Sequence, residues 1–365
     1  TVTITDNAVG TAGNVSLSTT VTKTGGNVQS TLGMNATGIS SNVSVSPTPS
    51  ATLAGQTMTV ASVSLGTPTL ASSSPVSQFV LSGLTGAYLA DYNFVATNGT
   101  ATINEVRFTT TNSAVTSITA GGVTAPVINN TATLTGLSFP IEAGYAGKVL
   151  PVTVNYNTVG IGGVINSNTE SAVTLTYVKY TAGNTTSYLG AVTPLTAAAN
   201  SMYVVGGIPA VSTVESSRLG LANALVKLAD ITISAASNGG SIKVQELPIK
   251  VTSTNTAAIT NAANNVSVKV GDTSVTTTNS GLGVSAGSFG TDTIVFSTPY
   301  VIGAGETKTF SIYGTAAGVT ANSALTTQLG AKSSFKWTDV TGDTAGILGT
   351  NIYNYGSESS TIKNY

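Results

Sequence analysis

Ser333-Ser334-Phe335-Lys336 carries a Ser-x-x-Lys spacing, in which a lysine can take the proton of a serine nucleophile for acyl transfer. That chemistry needs a helix to bring both side chains to one face. Here the four residues run into Trp337 within a strand-like stretch, where positions i and i+3 point to opposite faces. The partner motifs S-D-N and K-T-G are also missing. Asp339-Val340-Thr341-Gly342-Asp343 offers carboxylate oxygens of the kind calcium takes from loops, but without the dense D-x-D-x-D-G pattern it reads as a turn with solvated aspartates. Two further carboxylates recur in similar surroundings, Asp91 with Asp230 and Glu105 with Glu246. A carboxylate pair can hydrolyse a glycoside, yet a duplicated pair would mean two identical sites with no aromatic platform for sugar. The expected roles are structural: Asp at the start of a strand bonding turn amides, Glu paired with a cation.

Lys148, Lys308 and Lys227, with Glu246 and many asparagines, contain the ingredients of a Lys–Asn isopeptide staple, though with no recognisable spacing. Other chemistry is removed by composition. The 365 residues include neither Cys nor His, which excludes thiolate nucleophiles, Ser-His-Asp triads and ordinary zinc or haem sites. No cofactor is expected. A net charge of −1 leaves no electrostatic footprint for nucleic acid. No apolar run reaches the roughly 18 residues of a spanning helix. Thr (63), Ser (42) and Gly (40) dominate, and only 7% of residues are charged. With 41% apolar residues the chain lacks the low hydrophobicity and high charge of a disordered one. Val, Ile and Leu dispersed among Thr build strands.

The elements that would position any site come in two copies. TMTVASVSLGTPTLASSS at 57–74 aligns with SMYVVGGIPAVSTVESS at 201–217, Met58 over Met202. Leu89-Ala90-Asp91 then matches Leu228-Ala229-Asp230, the turn Asn98-Gly99 matches Asn238-Gly239, and Glu105 matches Glu246. Ile141-Glu142-Ala143-Gly144 with Lys148 matches Ile302-Gly303-Ala304-Gly305 with Lys308. Asn-Gly between alternating runs is a strong hairpin signal. Strands are expected at 76–83, 92–97, 102–111, 115–120, 131–138, 148–156 and 172–180 in the first copy. One short helical turn is expected within 219–229, LGLANALVKLA. The fold class is all-β, with tandem immunoglobulin-like antiparallel β-sandwiches at 57–200 and 201–365.

Residues 1–56 resemble the end of a repeat, not its start. Val15-Ser16-Leu17 can be laid on Val173-Thr174-Leu175, and the chain then runs to the Met58 or Met202 strand. An incomplete sandwich has open edges that another chain can fill. Thr1, Val2, Thr3, Ile4 and Thr5 alternate as a donated strand would, with Val2 and Ile4 as the inward pair. Seven N-x-S/T sequons, at Asn14, Asn35, Asn42, Asn98, Asn129, Asn184 and Asn265, are candidate glycosylation sites or ordinary turn asparagines. Tyr353, Tyr355 and Tyr365 lie in a polar C-terminal stretch that reads equally as an interface segment or a frayed strand.

Two Cys-free, Thr/Ser/Gly-rich β-sandwich repeats resemble the surface proteins of bacteria and archaea: S-layer subunits, adhesin stalks and pili made by strand complementation. The resemblance carries no diagnostic motif and transfers no residue. It implies a non-enzymatic extracellular protein whose partners are copies of itself. The rival expectation is an adhesin or fibre module that binds glycans or a cell surface through its loops.

Overall fold

Alternating apolar residues build strands only when one face can be buried. In the computed structural model, two such cores form. The structure describes the strand backbone at 13–19, 36–37, 44–45 and 53–60, and residues 62–365 apart from 145, 161–162, 340–345 and 365.

In chain order the strands used below are β1 (Gly13–Thr19), β2 (Leu53–Val60), β3 (Thr69–Leu70), β4 (Gln78–Leu81), β5 (Ala87–Phe94), β6 (Ala101–Thr110), β7 (Val115–Ala120), β8 (Val123–Pro126), β9 (Thr131–Ile141), β10 (Lys148–Tyr156), β11 (Thr169–Ser171), β12 (Val173–Ala182) and β13 (Thr185–Leu189). They continue as β14 (Met202–Val205), β15 (Pro209–Thr213), β16 (Ser216–Leu219), β17 (Leu225–Ala235), β18 (Ile242–Thr254), β19 (Val266–Val270), β20 (Thr273–Val275), β21 (Phe289–Ile302), β22 (Thr307–Ala317), β23 (Ala324–Leu329), β24 (Lys336–Thr338) and β25 (Ser359–Lys363).

The first sandwich packs the sheet β3-β5-β10-β7-β8 against β9-β6-β12-β13. The second packs β15-β17-β22-β19-β20 against β21-β18-β23-β25-β16. Read along the sheets, β3-β5-β10-β7-β8 corresponds place by place with β15-β17-β22-β19-β20, and β9-β6-β12 with β21-β18-β23. The bulges correspond too. The first skips Leu89 in one copy and Leu228 in the other. The second skips Asn104 and Gln245. A bulge inserts one residue and so reverses which side chains face inward. That is how Ile103 and Val106, three apart, both reach the core, as do Val244 and Leu247.

The Asn-Gly turns do not close hairpins. β5 and β6 lie in opposite sheets, as do β17 and β18, so each turn carries the chain across the end of a sandwich. Asn98 takes the left-handed conformation, with φ 63°, whereas Asn238 at the equivalent turn does not. An Asn-Gly pair specifies a reversal of the backbone, while the core decides which strand becomes the neighbour. True two-residue hairpins use Gly121-Gly122, with both φ positive, and Gly183-Asn184.

The expected strand 92–97 starts earlier, at Ala87. The expected helical turn within 219–229 is absent among the described residues. Leu225–Ala235 is extended and pairs with β22, so tertiary pairing overrides a run of good helix formers. The C-terminal stretch is not frayed: β25 lies between β23 and β16, with Ile362 in the core.

The two cores meet through a third, small sheet, β11-β14-β4. β14 pairs antiparallel with β11 and parallel with β4. Its Met202 and Val204 face the first core, and Val205 faces the second. The expected boundary at 200/201 therefore falls just ahead of a strand that serves both sandwiches. β1 and β2 pair antiparallel as a separate two-stranded sheet, and β2 crosses the expected boundary at 56/57.

Candidate functional site

The residues with chemical potential are dispersed. Lys332–Ser334 form a single 3-10 turn, and Lys336 already belongs to β24. Lys336 Nζ lies 3.4 Å from Glu246 Oε1, so this lysine has a carboxylate partner. Glu105 faces Arg107 at 3.8 Å. Ser73 Oγ donates to Asp91 Oδ2 at 2.5 Å, and the Asp91 amide donates to Ser74 Oγ at 2.9 Å. Asp230 accepts from Ser311 Oγ at 2.6 Å and pairs with Lys227 at 2.6 Å. These carboxylates fasten strands and turns, and the turn partners of Asp91 are serine hydroxyls. The isopeptide ingredients are engaged elsewhere, Lys227 with Asp230 and Glu246 with Lys336. Lys148 donates to the Pro140 carbonyl at 2.7 Å, and Lys308 pairs with Glu306 at 3.3 Å. Among the described residues no group of three or more acids could hold a metal ion.

Asp339 corrects the expectation of a solvated turn. It is buried where the sandwiches meet. Its Oδ2 accepts from Ser167 Oγ of the first sandwich at 2.5 Å and from the Gly206 amide that follows β14. Its Oδ1 is buried without a hydrogen-bond partner among the described residues. Burial pushes its pKa up from the ordinary value, and the bonds from Ser167 and Gly206 oppose that shift. A carboxyl raised in the folded state binds its proton more tightly there than in the unfolded chain. Its contribution to stability is therefore present at low pH and lost as pH rises through the raised pKa. Urea unfolding between about pH 4 and about pH 7 checks this. The stability of wild type relative to Asp339→Asn should fall with rising pH. Parallel curves for the two proteins would remove Asp339 as the cause.

Around Asp339 the joint is aromatic. Phe79, on β4 of the first sandwich, is only 6% exposed and sits in the second core. Its ring meets Trp337 edge-on at 5.6 Å and 88°, and Tyr203 at 6.1 Å. Gly239 makes room for the next inward residue: a Cβ there would lie 2.7 Å from Leu81 Cδ2. The sequence reading missed Phe79 and Val205 because their alternation resembles that of any buried strand.

The exposed candidates lie elsewhere. Thr1 to Thr5, Asn35, Asn42 and Tyr365 lie outside the described residues, and Asn14 is described only as backbone of β1. Asn98, Asn129 and Asn184 are exposed at turns. Asn98 Nδ2 donates to the Ser62 carbonyl at 3.1 Å. Asn265 is engaged throughout: Nδ2 donates to the carbonyls of Thr260 and Leu282 at 2.8 and 2.7 Å, and Oδ1 accepts from the Leu282 amide at 2.9 Å. A glycan there would replace one of those donors. The tyrosines divide. Tyr355 packs on Phe335 at 6.2 Å and donates to the Gly330 carbonyl, and burial pushes its pKa up. Tyr353 is 74% exposed beside a groove of about 400 Å³ lined by Ser212, Thr232, Ser234, Asn354 and Glu358. No described helix is long and apolar enough to cross a membrane.

No family model matches the chain, and no curated protein is similar to it at a meaningful level. Among solved structures, it is similar to CBD12 from CALX1.2 at 9% identity and a TM-score of 0.26, covering 78% of this chain and 96% of that one. It is similar to the C-terminal domain of the Streptococcus agalactiae AgI/II polypeptide BspA at 9% identity and TM-score 0.18, covering 82% and 99%. For the collagen adhesin CNA from S. aureus the identity is 9% and the TM-score 0.18, with 82% and 92% covered. At these TM-scores the likeness transfers no function to this chain.

Proposed function

We propose that this protein is a non-enzymatic structural subunit of an extracellular filament or surface layer. In this reading 57–200 and 201–365 are two repeats, and 1–56 carries the end of a third. The observation that supports it most is the joint between the sandwiches. A strand shared by both cores and an aromatic side chain seated in the neighbouring core resist bending, as a rigid strut requires. A flexible linker would leave the domains free to move. Low charge also suits close packing of identical subunits, which would otherwise repel one another.

The subunits join in this reading by β-strand addition, with Thr1–Thr5 entering an open edge of a neighbour and Val2 and Ile4 buried. A head-to-tail contact of this kind does not close on itself and so builds fibres. Deletion of residues 1–8 should leave folded protein that no longer polymerises, as electron microscopy and circular dichroism would report. Normal fibres from the deletion would reject strand donation.

The exposed Tyr353 beside a hydroxyl-lined groove favours the second reading, a glycan-binding adhesin module. Binding on a glycan array by the purified chain, lost in Tyr353→Ala and accompanied by no self-assembly, would establish it in place of the first.

A further inference from the structure

The joint between the sandwiches is laid down again at the far end of the second one. The common bulges place Phe108 level with Ile249, three residues after Glu105 and Glu246. Leu175 lies opposite Phe108, and Leu329 opposite Ile249. Four residues earlier in the chain stand Ser171, the last residue of β11, and Leu325 on β23. Ser171 pairs with Met202, and Leu325 pairs with Ile362. Met202 pairs in parallel with Gln78, and Ile362 in parallel with Arg218. β25 therefore repeats β14, and β16 repeats β4, rung for rung. The next rung sets Tyr203 beside Phe79 in one case and Lys363 beside Leu219 in the other.

The side chains obey the same alternation. Val80, the neighbour of Phe79, packs on the first core, while Phe79 points away into the second. In the copy, Arg218 turns towards its own strands, where Nη1 donates to the hydroxyls of Ser216 and Ser360. Leu219 points away and is 67% exposed. Next to it, on the outward side of β23 and β25, lies a groove of about 400 Å³ lined by Thr326, Thr361 and Asn364 among others.

We infer that this end of the second sandwich is a docking surface for the first sandwich of a second copy of this chain, with Leu219 in the role of Phe79. The occupant follows from the established joint, where the same element carries a sandwich of the same strand order. The receiving rung is also repeated. Trp337 lies opposite Val244 in the second sandwich, and Tyr180 lies opposite the equivalent Ile103 in the first. The incoming leucine therefore meets a ring already seated in the first core, Tyr180 being only 6% exposed. This inference rests on the building-unit reading above and names a contact distinct from donation of Thr1–Thr5.

Sedimentation velocity over a concentration series tests it on the full chain. Leu219→Asp puts a charge on the plug at an exposed position, so folding is expected to be unchanged, as a circular dichroism melt would confirm. Val192→Asp, at a residue 98% exposed in the loop after β13, is the control. Wild type and Val192→Asp should form concentration-dependent oligomers. Leu219→Asp should raise the dissociation constant roughly tenfold or more, the loss expected for one buried leucine. Equal assembly of Leu219→Asp and wild type overturns this docking surface and leaves the building-unit reading standing. Wild type that stays monomeric at every concentration overturns that reading and, with it, the second copy as occupant.

Discussion

Phe79→Ala should split the unfolding of this protein into two transitions. The residue is carried by a strand of the first sandwich, but its ring is buried in the second, edge-on to Trp337 and against Tyr203. Removing a buried phenylalanine costs about 3 to 5 kcal/mol, from lost transfer free energy plus the cavity left behind. Most of that loss falls on contacts between the sandwiches, so it reduces their coupling as well as total stability. Val205 and the parallel pairing of β4 with β14 remain, so the joint is weakened and the two cores persist. Calorimetry should show one main transition for wild type and two separated ones for the variant. Phe79→Leu, which keeps most of the apolar volume, should restore much of the coupling. A single transition in Phe79→Ala, shifted by less than about 1 kcal/mol, would mean that the joint adds little rigidity. The strut argument would then lose its main support.

Gly290→Ala should be the most damaging of the small substitutions, and its damage should stay in the second sandwich. A Cβ at Gly290 would lie 1.9 Å from the carbonyl oxygen of Gly283, a backbone atom that no rotamer change can move. Gly290 pairs with Val251, so relief requires β21 to shift against β18 or the 281–284 segment to leave the core edge. Val284 is held there by reciprocal bonds with Ile259. Overpacking without an escape costs roughly 3 kcal/mol. Gly271→Ala separates crowding from backbone strain. Gly271 has φ 61° and open space around the Cβ position, so it pays only the left-handed penalty of about 1 kcal/mol. Urea unfolding of both variants should rank Gly290→Ala well below Gly271→Ala. The reverse order would show that the approach of residues 283 and 290 is not a constraint on this fold.

Much of the architecture is legible in the residues. Leu89-Ala90-Asp91 and Leu228-Ala229-Asp230 match in sequence and occupy the same bulge in two sheets of the same order. The strand signal works because alternation is a property of neighbouring residues, and burial of one face demands it. The cation partner of Glu246 is legible for a similar reason, since a chain with few charges has few partners to offer each one, whereas Asp230 takes Lys227 and Ser311 in place of the expected turn amides.

Partner choice was not legible. Asn98-Gly99 reads as a hairpin locally, yet β5 and β6 take different sheets. LGLANALVKLA has helix-forming residues, yet its second half pairs with β22. Asp339 reads as a loop aspartate, yet Ser167, far away in the chain, covers it.

Composition and repetition by themselves determine that this chain is built of strands, is duplicated and contains neither cysteine nor histidine. Only the tertiary structure decides that Phe79 belongs to its neighbour's core and that Leu219 stands exposed at the equivalent rung. The reason is physical. Periodicity tells which residues share a face, but two faces look alike until the fold puts a core against one and another sandwich, or water, against the other.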